Sequence, residues 1–243
     1  MTDGLADQVA LITGASSGIG RAIAFSLASQ GMRLCLVGRR PEVLEEVAAV
    51  ARKSSSQALC YYADLTIDED IFNLKTKIEQ DLGRLDLLIH SAGTIAYGTM
   101  QTVSIQDLDM QYRANVRAPY LLTQTLLPLL ITRQGQIVFI NSTAIMRARA
   151  DVGQFAATQH ALKGITDSLR EELNPKQVRV LSIYPGRTAT SRQETLYKWE
   201  GKTYHPELLL QPEDIAAVVL NALCMPRTAE VTDISIRPFK KST

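Results

Sequence analysis

The first stretch able to hold a reactive ligand is Thr13-Gly14-Ala15-Ser16-Ser17-Gly18-Ile19-Gly20. Glycines spaced Gly-x-x-x-Gly-x-Gly let a backbone turn sharply and approach a ligand where a Cβ would collide. The run lies between an apolar stretch, Val9-Ala10-Leu11-Ile12, and a helically spaced one from Arg21 to Ala28. Strand, glycine turn and helix in that order set a dinucleotide pyrophosphate on a helix N-terminus. The spacing departs from the usual Gly-x-Gly-x-x-Gly fingerprint, so a tight turn without ligand stays open as the alternative. Further on, Val37-Gly38-Arg39-Arg40 bears on which dinucleotide would fit. NAD-selective folds end the second strand with a carboxylate for the ribose 2′-hydroxyl, and none stands here. A guanidinium offers charge and paired donors to a 2′-phosphate, so NADP(H) is expected, with Arg39 as first candidate and Arg40 as second. Solvated arginines opening a helix are the plain reading of the same residues.

The elements that would position this loop recur along the chain. Strand-like runs are Val9–Ile12, Arg33–Val37, Ala58–Ala63, Asp86–His90, Gln136–Ile140, Val178–Tyr184 and Val231–Ile236. Helical patterns lie between them: from Arg21, from Pro41 to about Lys53, from Ile67 to Leu82, from about Ile105 to Thr132, over 152–173, and from Pro212 to Leu223. That alternation predicts one α/β domain over residues 1–243, a doubly wound parallel sheet of about seven strands with helices on both faces. At 243 residues, 46% hydrophobic and 21% charged, the chain is long enough to bury a sizeable core. The net charge is only +1, without a Lys/Arg cluster, which argues against a nucleic-acid partner. No apolar run approaches the ~20 residues of a membrane span. Met1-Thr2-Asp3-Gly4 lacks the basic and apolar blocks of a secretory signal. Cys35, Cys60 and Cys224 read as buried free thiols in a reducing, cytoplasmic setting, and neither they nor the three histidines show metal-ligand spacing.

With those pieces in place, the sequence resembles the short-chain dehydrogenase/reductase family, Rossmann-like in fold, along nearly its whole length. Thr13, Gly14, Gly18 and Gly20 match its Thr-Gly-x-x-x-Gly-x-Gly loop. Asp64, followed by Leu65, matches an acidic residue used near the adenine. His90-Ser91-Ala92-Gly93 looks like its Asn-Asn-Ala-Gly segment with both asparagines replaced. Asn115 falls where the family has a structural and catalytic Asn. Pro185-Gly186, Thr188 and Thr190 resemble the turn that holds the nicotinamide end.

The resemblance implies carbonyl reduction or alcohol oxidation by Ser, Tyr and Lys, assisted by the Asn. Ser142 fits the Ser. In the stretch from Gly153 to Lys163, however, Phe155 stands at the Tyr position and Gln159 at the Lys position. Four residues apart, these two side chains share one helix face. In the family the Lys lowers the Tyr pKa and bonds the nicotinamide ribose, and the phenol gives its proton as hydride arrives. Phe155 has no exchangeable proton. Gln159 can bond a ribose hydroxyl but has no charge with which to tune an acid. Ordinary turnover is therefore expected to be absent or very slow. Candidate substitutes are His90, Tyr97 and Tyr184, with a structural histidine the larger share for His90. Lys163 lies more than a turn too far along, and His160 about 100° round the helix. Arg147 and Arg149 would line the pocket mouth or stand solvated, and Ile145 replaces what relatives keep small. Several departures around one site read more as natural drift than as a two-residue laboratory knockout, which stays open as the alternative.

The stretch 187–210 is long for a strand-to-helix connection and reads as a substrate lid, with Tyr197, Trp199 and Tyr204 either closing over a substrate or packing on the domain or a neighbouring subunit. The resemblance also implies a homodimer or homotetramer built on the helices near 105–132 and 152–173. A small carbonyl or alcohol ligand is the expected partner.

Overall fold

The seven apolar runs become the seven strands of a single parallel sheet: β1 (Val9–Thr13), β2 (Arg33–Gly38), β3 (Ala58–Tyr62), β4 (Leu87–His90), β5 (Gln136–Ile140), β6 (Arg179–Pro185) and β7 (Asp233–Ile236). Their order across the sheet is β3-β2-β1-β4-β5-β6-β7, with every neighbouring pair parallel. The computed structural model describes residues 4–240, so the segment Met1-Thr2-Asp3, part of the stretch whose composition argues against a secretory signal, lies outside it. Among the described residues no helix is long and apolar enough to cross a membrane.

Unbroken apolar strands are what a sheet covered on both faces requires. Along β1, Ala10 and Ile12 enter a core shared with α1 (Gly18–Ala28), α2 (Pro41–Ala51) and α8 (Pro212–Leu223). Val9 and Leu11 point the other way, into a core built with α3 (Asp68–Asp81), α5 (Ala118–Thr132) and α6 (Gly153–Leu173). Strand order reverses between β1 and β4, and ligands of open α/β sheets bind in the crevice beyond the carboxyl ends of the strands at such a point. At the opposite end, buried Asp86 ties three segments together. It accepts from the Val9 amide (2.8 Å), from Arg84 Nε (3.0 Å) and from Arg133 Nε (2.9 Å).

Two departures from the sequence reading matter for the site. The helical region from Ile105 to Thr132 is not one helix: α4 (Ile105–Tyr112) and α5 are joined by a π turn over Arg113–Arg117, with Asn115 inside it. The stretch 187–210 is not a plain loop either, for it contains α7 (Ser191–Trp199) and a 3₁₀ turn at Pro206–Leu208. The signal for α7 was present: Thr190 accepts from the Gln193 amide (3.2 Å) as an N-cap, and Thr-x-x-Gln is a helix-start pattern. The cysteines also divide. Cys35 is buried, and desolvation pushes its thiol up to about 12. Cys60 is half-buried, and Cys224 is exposed, because it sits one residue past the end of α8.

Glycine matters at the sheet-to-helix turn and is dispensable elsewhere. A Cβ at Gly20 would lie 2.5 Å from the Gly14 carbonyl oxygen, whereas one at Gly164, exposed in mid-α6, meets nothing within 4 Å. Urea unfolding should therefore show Gly20→Ala losing roughly 1–3 kcal/mol by overpacking. Gly164→Ala should gain about 0.5–1 kcal/mol from helix propensity and a stiffer unfolded chain.

Candidate functional site

A cavity of about 1210 Å³ runs along the carboxyl ends of the strands. That exceeds the roughly 300–1,000 Å³ of ordinary small-molecule pockets, leaving room for a dinucleotide and a second small molecule. One end is the glycine turn. Gly14 (φ +66°) passes so close to the segment after β4 that a Cβ would stand 3.0 Å from the Ala92 backbone. Thr13 Oγ1 fixes this approach, accepting from the Ser91 (3.0 Å) and Ala92 (3.1 Å) amides and donating to the Ile89 carbonyl (3.3 Å). Ser17, the residue before α1, makes no side-chain cap, so the first amides of the helix have no side-chain acceptor. Gly14, Ser16, Ser17, Gly18 and Ile19 line the cavity; Gly20 does not, being buried behind them against Gly14.

Beyond the end of β2, Arg39 and Arg40 line the same space with Asp64 and Leu65. Arg39 Nη1 stands 3.7 Å from Asp64 Oδ2, with most of its side chain exposed. Burial alone would raise the Asp64 pKa, but hydrogen bonds from Thr66 and the charge of Arg39 hold it low.

The other wall carries the positions that the resemblance assigns to catalysis, and the fold brings them together. Ser142, Phe155, Gln159 and Asn115 all line the cavity, as do Ser91, Ala92, Gly93, Pro185, Gly186, Thr188 and Thr190. Ser142 caps a 3₁₀ turn (Thr143–Ile145), its Oγ accepting from the Ala144 amide at 3.1 Å. Gln159 is buried beside Thr158, and its carbonyl accepts from Asn141 Nδ2 (3.2 Å). Asn115 works as a clamp: Oδ1 accepts from the Thr94 amide (2.7 Å), while Nδ2 donates to the Thr94 carbonyl (2.9 Å) and to Thr158 Oγ1 (3.1 Å). The π turn supplies the inward residue for that clamp, and such turns gather at functional sites.

Over this end lies α7. Its N-cap, Thr190, packs on the glycine turn, with the methyl 3.1 Å from where a Cβ of Gly18 would be. Arg192 donates from Nη2 to the Gly93 carbonyl across the cavity. At its far end Trp199 stacks on Tyr97 (6.0 Å), and Glu200 takes Arg187 at 2.6 Å. Sequence reading missed Arg192, Gln193 and Leu196 as lining residues because it left this segment without a helix.

A family model described as short chain dehydrogenase matches residues 8–201. The chain belongs to the short-chain dehydrogenase family. An uncharacterized oxidoreductase of Staphylococcus aureus (strain USA300) is 32% identical over 235 residues, covering 96% of this chain and 98% of that one. A metagenomic short-chain oxidoreductase solved with NADP is 31% identical at a TM-score of 0.85, covering 98% and 100% of the two chains. An alcohol dehydrogenase of the archaeon Thermococcus sibiricus, solved with 5-hydroxy-NADP, is 25% identical at a TM-score of 0.87, covering 97% and 98%.

For a short-chain dehydrogenase the proton inventory of this cavity is unusual. Among the described residues that line it there is no Tyr, His, Lys, Cys or Glu, and the single carboxylate, Asp64, lies beside Arg39 at the end away from Phe155. Each candidate substitute is engaged elsewhere. Tyr97 donates to Asp151 Oδ2 (3.3 Å), and buried Tyr184 to Asp233 Oδ1 (2.7 Å), with both pKa values raised, by burial first and then by those carboxylates. Lys163 Nζ bonds Asp167 (2.6 Å), and His160 is exposed outside the cavity. Arg147 and Arg149 do line the mouth; Ile145 does not.

His90 turns out to be structural. It is buried behind the sheet end, stacked on Phe139 (4.6 Å), with Nε2 2.8 Å from Thr123 Oγ1. Desolvation lowers its pKa to about 3, so the folded chain keeps it neutral while the unfolded chain protonates it near pH 6.5. Protons bound only by the unfolded state remove stability as pH falls through that window. Wild type should thus lose about 2 kcal/mol more than His90→Leu between pH 7.5 and 5 in urea titrations.

Proposed function

We propose that this chain binds NADP(H) and has lost the ordinary carbonyl–alcohol turnover of its family, acting through binding. The observation that carries this reading is the absence of a titratable proton donor among the described residues lining the Phe155 end of the cavity. The dinucleotide half fits its ligand: unpartnered amides at the start of α1 face the place of a pyrophosphate, and positive-φ glycines clear the space for it. Arg39 and Arg40 would hold a 2′-phosphate, with no carboxylate at the end of β2 to repel it. The NADP-bound relatives support the same choice.

When bound, NADP(H) supplies or accepts a hydride. The chain's own residues would then hold and shield: Gln159 offers an amide to a ribose hydroxyl, Ser142 a hydroxyl to a ligand oxygen, and Phe155 an apolar wall that excludes water. None of them releases a proton near neutrality, and a guanidinium stays protonated throughout. General acid–base catalysis is worth about 10²–10⁴-fold, and an alkoxide left in a partly dry pocket adds to the loss. A second reading, slow reduction of a small carbonyl, is favoured by Ser142, whose side chain still lines the cavity. Self-association through the helical regions near 105–132 and 152–173 is part of the proposal, supported by exposed Tyr112 and Tyr120 in the first of them. A monomer by sedimentation at micromolar concentration would contradict it.

Fluorescence titration should show NADPH binding more tightly than NADH, with Arg39→Ala removing most of the difference. Equal affinities in both proteins would reject the 2′-phosphate assignment. On a carbonyl panel with NADPH, wild type should show little or no turnover, and Phe155→Tyr with Gln159→Lys should create or greatly raise it. Each single change should do much less, because a phenol without the adjacent cation keeps a pKa near ~10. Fast wild-type turnover would overturn the proposal.

A further inference from the structure

The mouth of the cavity is rimmed by a face that the packing of the chain leaves bare. Four large apolar side chains stand out around it: Met100 (97% exposed), Met146 (60%), Trp199 (49%) and Phe239, which is fully exposed. They come from four separate segments, and contacts bring those segments to one rim. Trp199 stacks on Tyr97, and the Gly98 amide donates to the Asp151 carbonyl (2.8 Å), which draws the Met100 loop beside the segment that carries Met146. Ser235 Oγ donates to Met146 Sδ (3.7 Å), and Pro238 lies close over Gly186, so the tail bearing Phe239 leaves from the same rim.

The charge between these tips is mostly of one sign. Arg147, Arg149, Lys202, Arg237 and Lys240 are all exposed there. The acids of the same segments are already engaged. Glu200 is held inside by Arg187 (2.6 Å) and reached by Lys202 (3.3 Å) and Arg149 (3.8 Å), Asp151 accepts from Tyr97 (3.3 Å), and Glu207 stands beside His205 (3.2 Å). Lys198 pairs with Glu194 (2.9 Å), and Arg192, on the turn that packs against Gly18, is left to the dinucleotide's phosphates. The net charge of the chain is only +1, so a cationic rim stands on a molecule that is on balance acidic elsewhere.

A face of this composition suits an anionic partner with apolar depth. A second copy docking by the same face would set cation against cation, which is costly. A bilayer surface needs no matching pockets. It takes isolated apolar tips into its interface, seats Trp and Tyr at headgroup level, and attracts each nearby Lys or Arg when its lipids are anionic. We propose that the mouth of the cavity docks on an anionic lipid surface. Met100, Met146, Trp199 and Phe239 enter the interface, and the five exposed cations lie at the headgroups. The contact is peripheral, since among the described residues no helix is long and apolar enough to cross a membrane. The face is separate from the dinucleotide half of the cavity, which keeps Arg39 and Arg40.

Trp199 is the chain's one tryptophan, so its emission reports on the rim directly. The test titrates the protein with vesicles of two parts phosphatidylcholine to one part phosphatidylserine. At ~0.1 M salt the emission should shift to the blue and be quenched by brominated acyl chains. Binding to pure phosphatidylcholine should be at least about tenfold weaker, and at ~1 M salt, where the screening length is about 3 Å, the difference should vanish. Arg147→Gln and Lys240→Gln, both at exposed sites, should each weaken binding to the anionic vesicles about fivefold. Met146→Ser with Phe239→Ser should keep the preference for anionic lipid and weaken binding about tenfold. Equal partitioning onto both vesicles, or binding without quenching by brominated lipid, would overturn the proposal. So would polyglutamate binding as tightly as the vesicles, which would mark a face for an acidic protein. Loss of self-association in Phe239→Ser, with no vesicle binding by wild type, would assign the face to a second copy and overturn it too. Vesicle binding requires no NADPH, so failure of the cofactor reading would leave this result standing.

Discussion

The close approach of backbone to backbone at the first turn is the constraint from which the site follows. Gly20 leaves no room for a side chain against Gly14, and Gly14 leaves none against Ala92. Helix α1 therefore begins directly behind the end of β1, and the segment after β4 is drawn to the same point, where Thr13 Oγ1 holds two of its amides. One local fit brings together a helix N-terminus, the reversal point of the sheet and the Ser91–Gly93 strip. The cavity is the space that remains beyond them, and α7 crosses it from Gly18 to Tyr97.

Within that frame the two halves of the cavity have fared differently. The dinucleotide half retains the features that binding needs: open amides, tight glycines and arginines without an acid at the end of β2. The other half keeps the positions, with Phe155 and Gln159 in two of them and no Tyr, His, Lys, Cys or Glu among the described lining residues. Ser142 is capped into a 3₁₀ turn and Asn115 is consumed in clamping Thr94, so both serve the shape of the pocket. Phe155 and Gln159 then complete a wall of apolar and amide groups. Hydride chemistry of the family's kind needs a proton close at hand, and binding does not.

Fold and cofactor half were legible in the sequence because local pattern controls both. Strands buried on two faces read as unbroken apolar runs, and the glycines of a phosphate turn stand at fixed spacing. The residues expected at the dinucleotide line the cavity with Gly20 the exception, since spacing cannot tell a glycine that faces open space from one that lets two backbones meet. What escaped depends on tertiary contact. The π turn at Arg113–Arg117 has an ordinary helical sequence, and only the Thr94 clamp gives Asn115 its inward place. Helix α7 was hidden by its polar composition, with Arg192, Gln193 and Lys198 on a nine-residue segment. His90 sat in the right strand at the right end, yet the packing of Phe139 and Thr123 turned it away from the cavity.

The knot of charge around Asp86 adds a different kind of consequence. It joins β1, β4 and the start of β5 at the amino ends of the strands, the opposite end from the cavity that Phe155 lines. What fastens the sheet and what faces a ligand therefore occupy separate ends of one scaffold. Exchanges at Phe155 and Gln159 touch none of the Asp86 bonds, so a lineage could replace its acid and its cation with that fastening intact. The architecture itself is permissive of a change of trade.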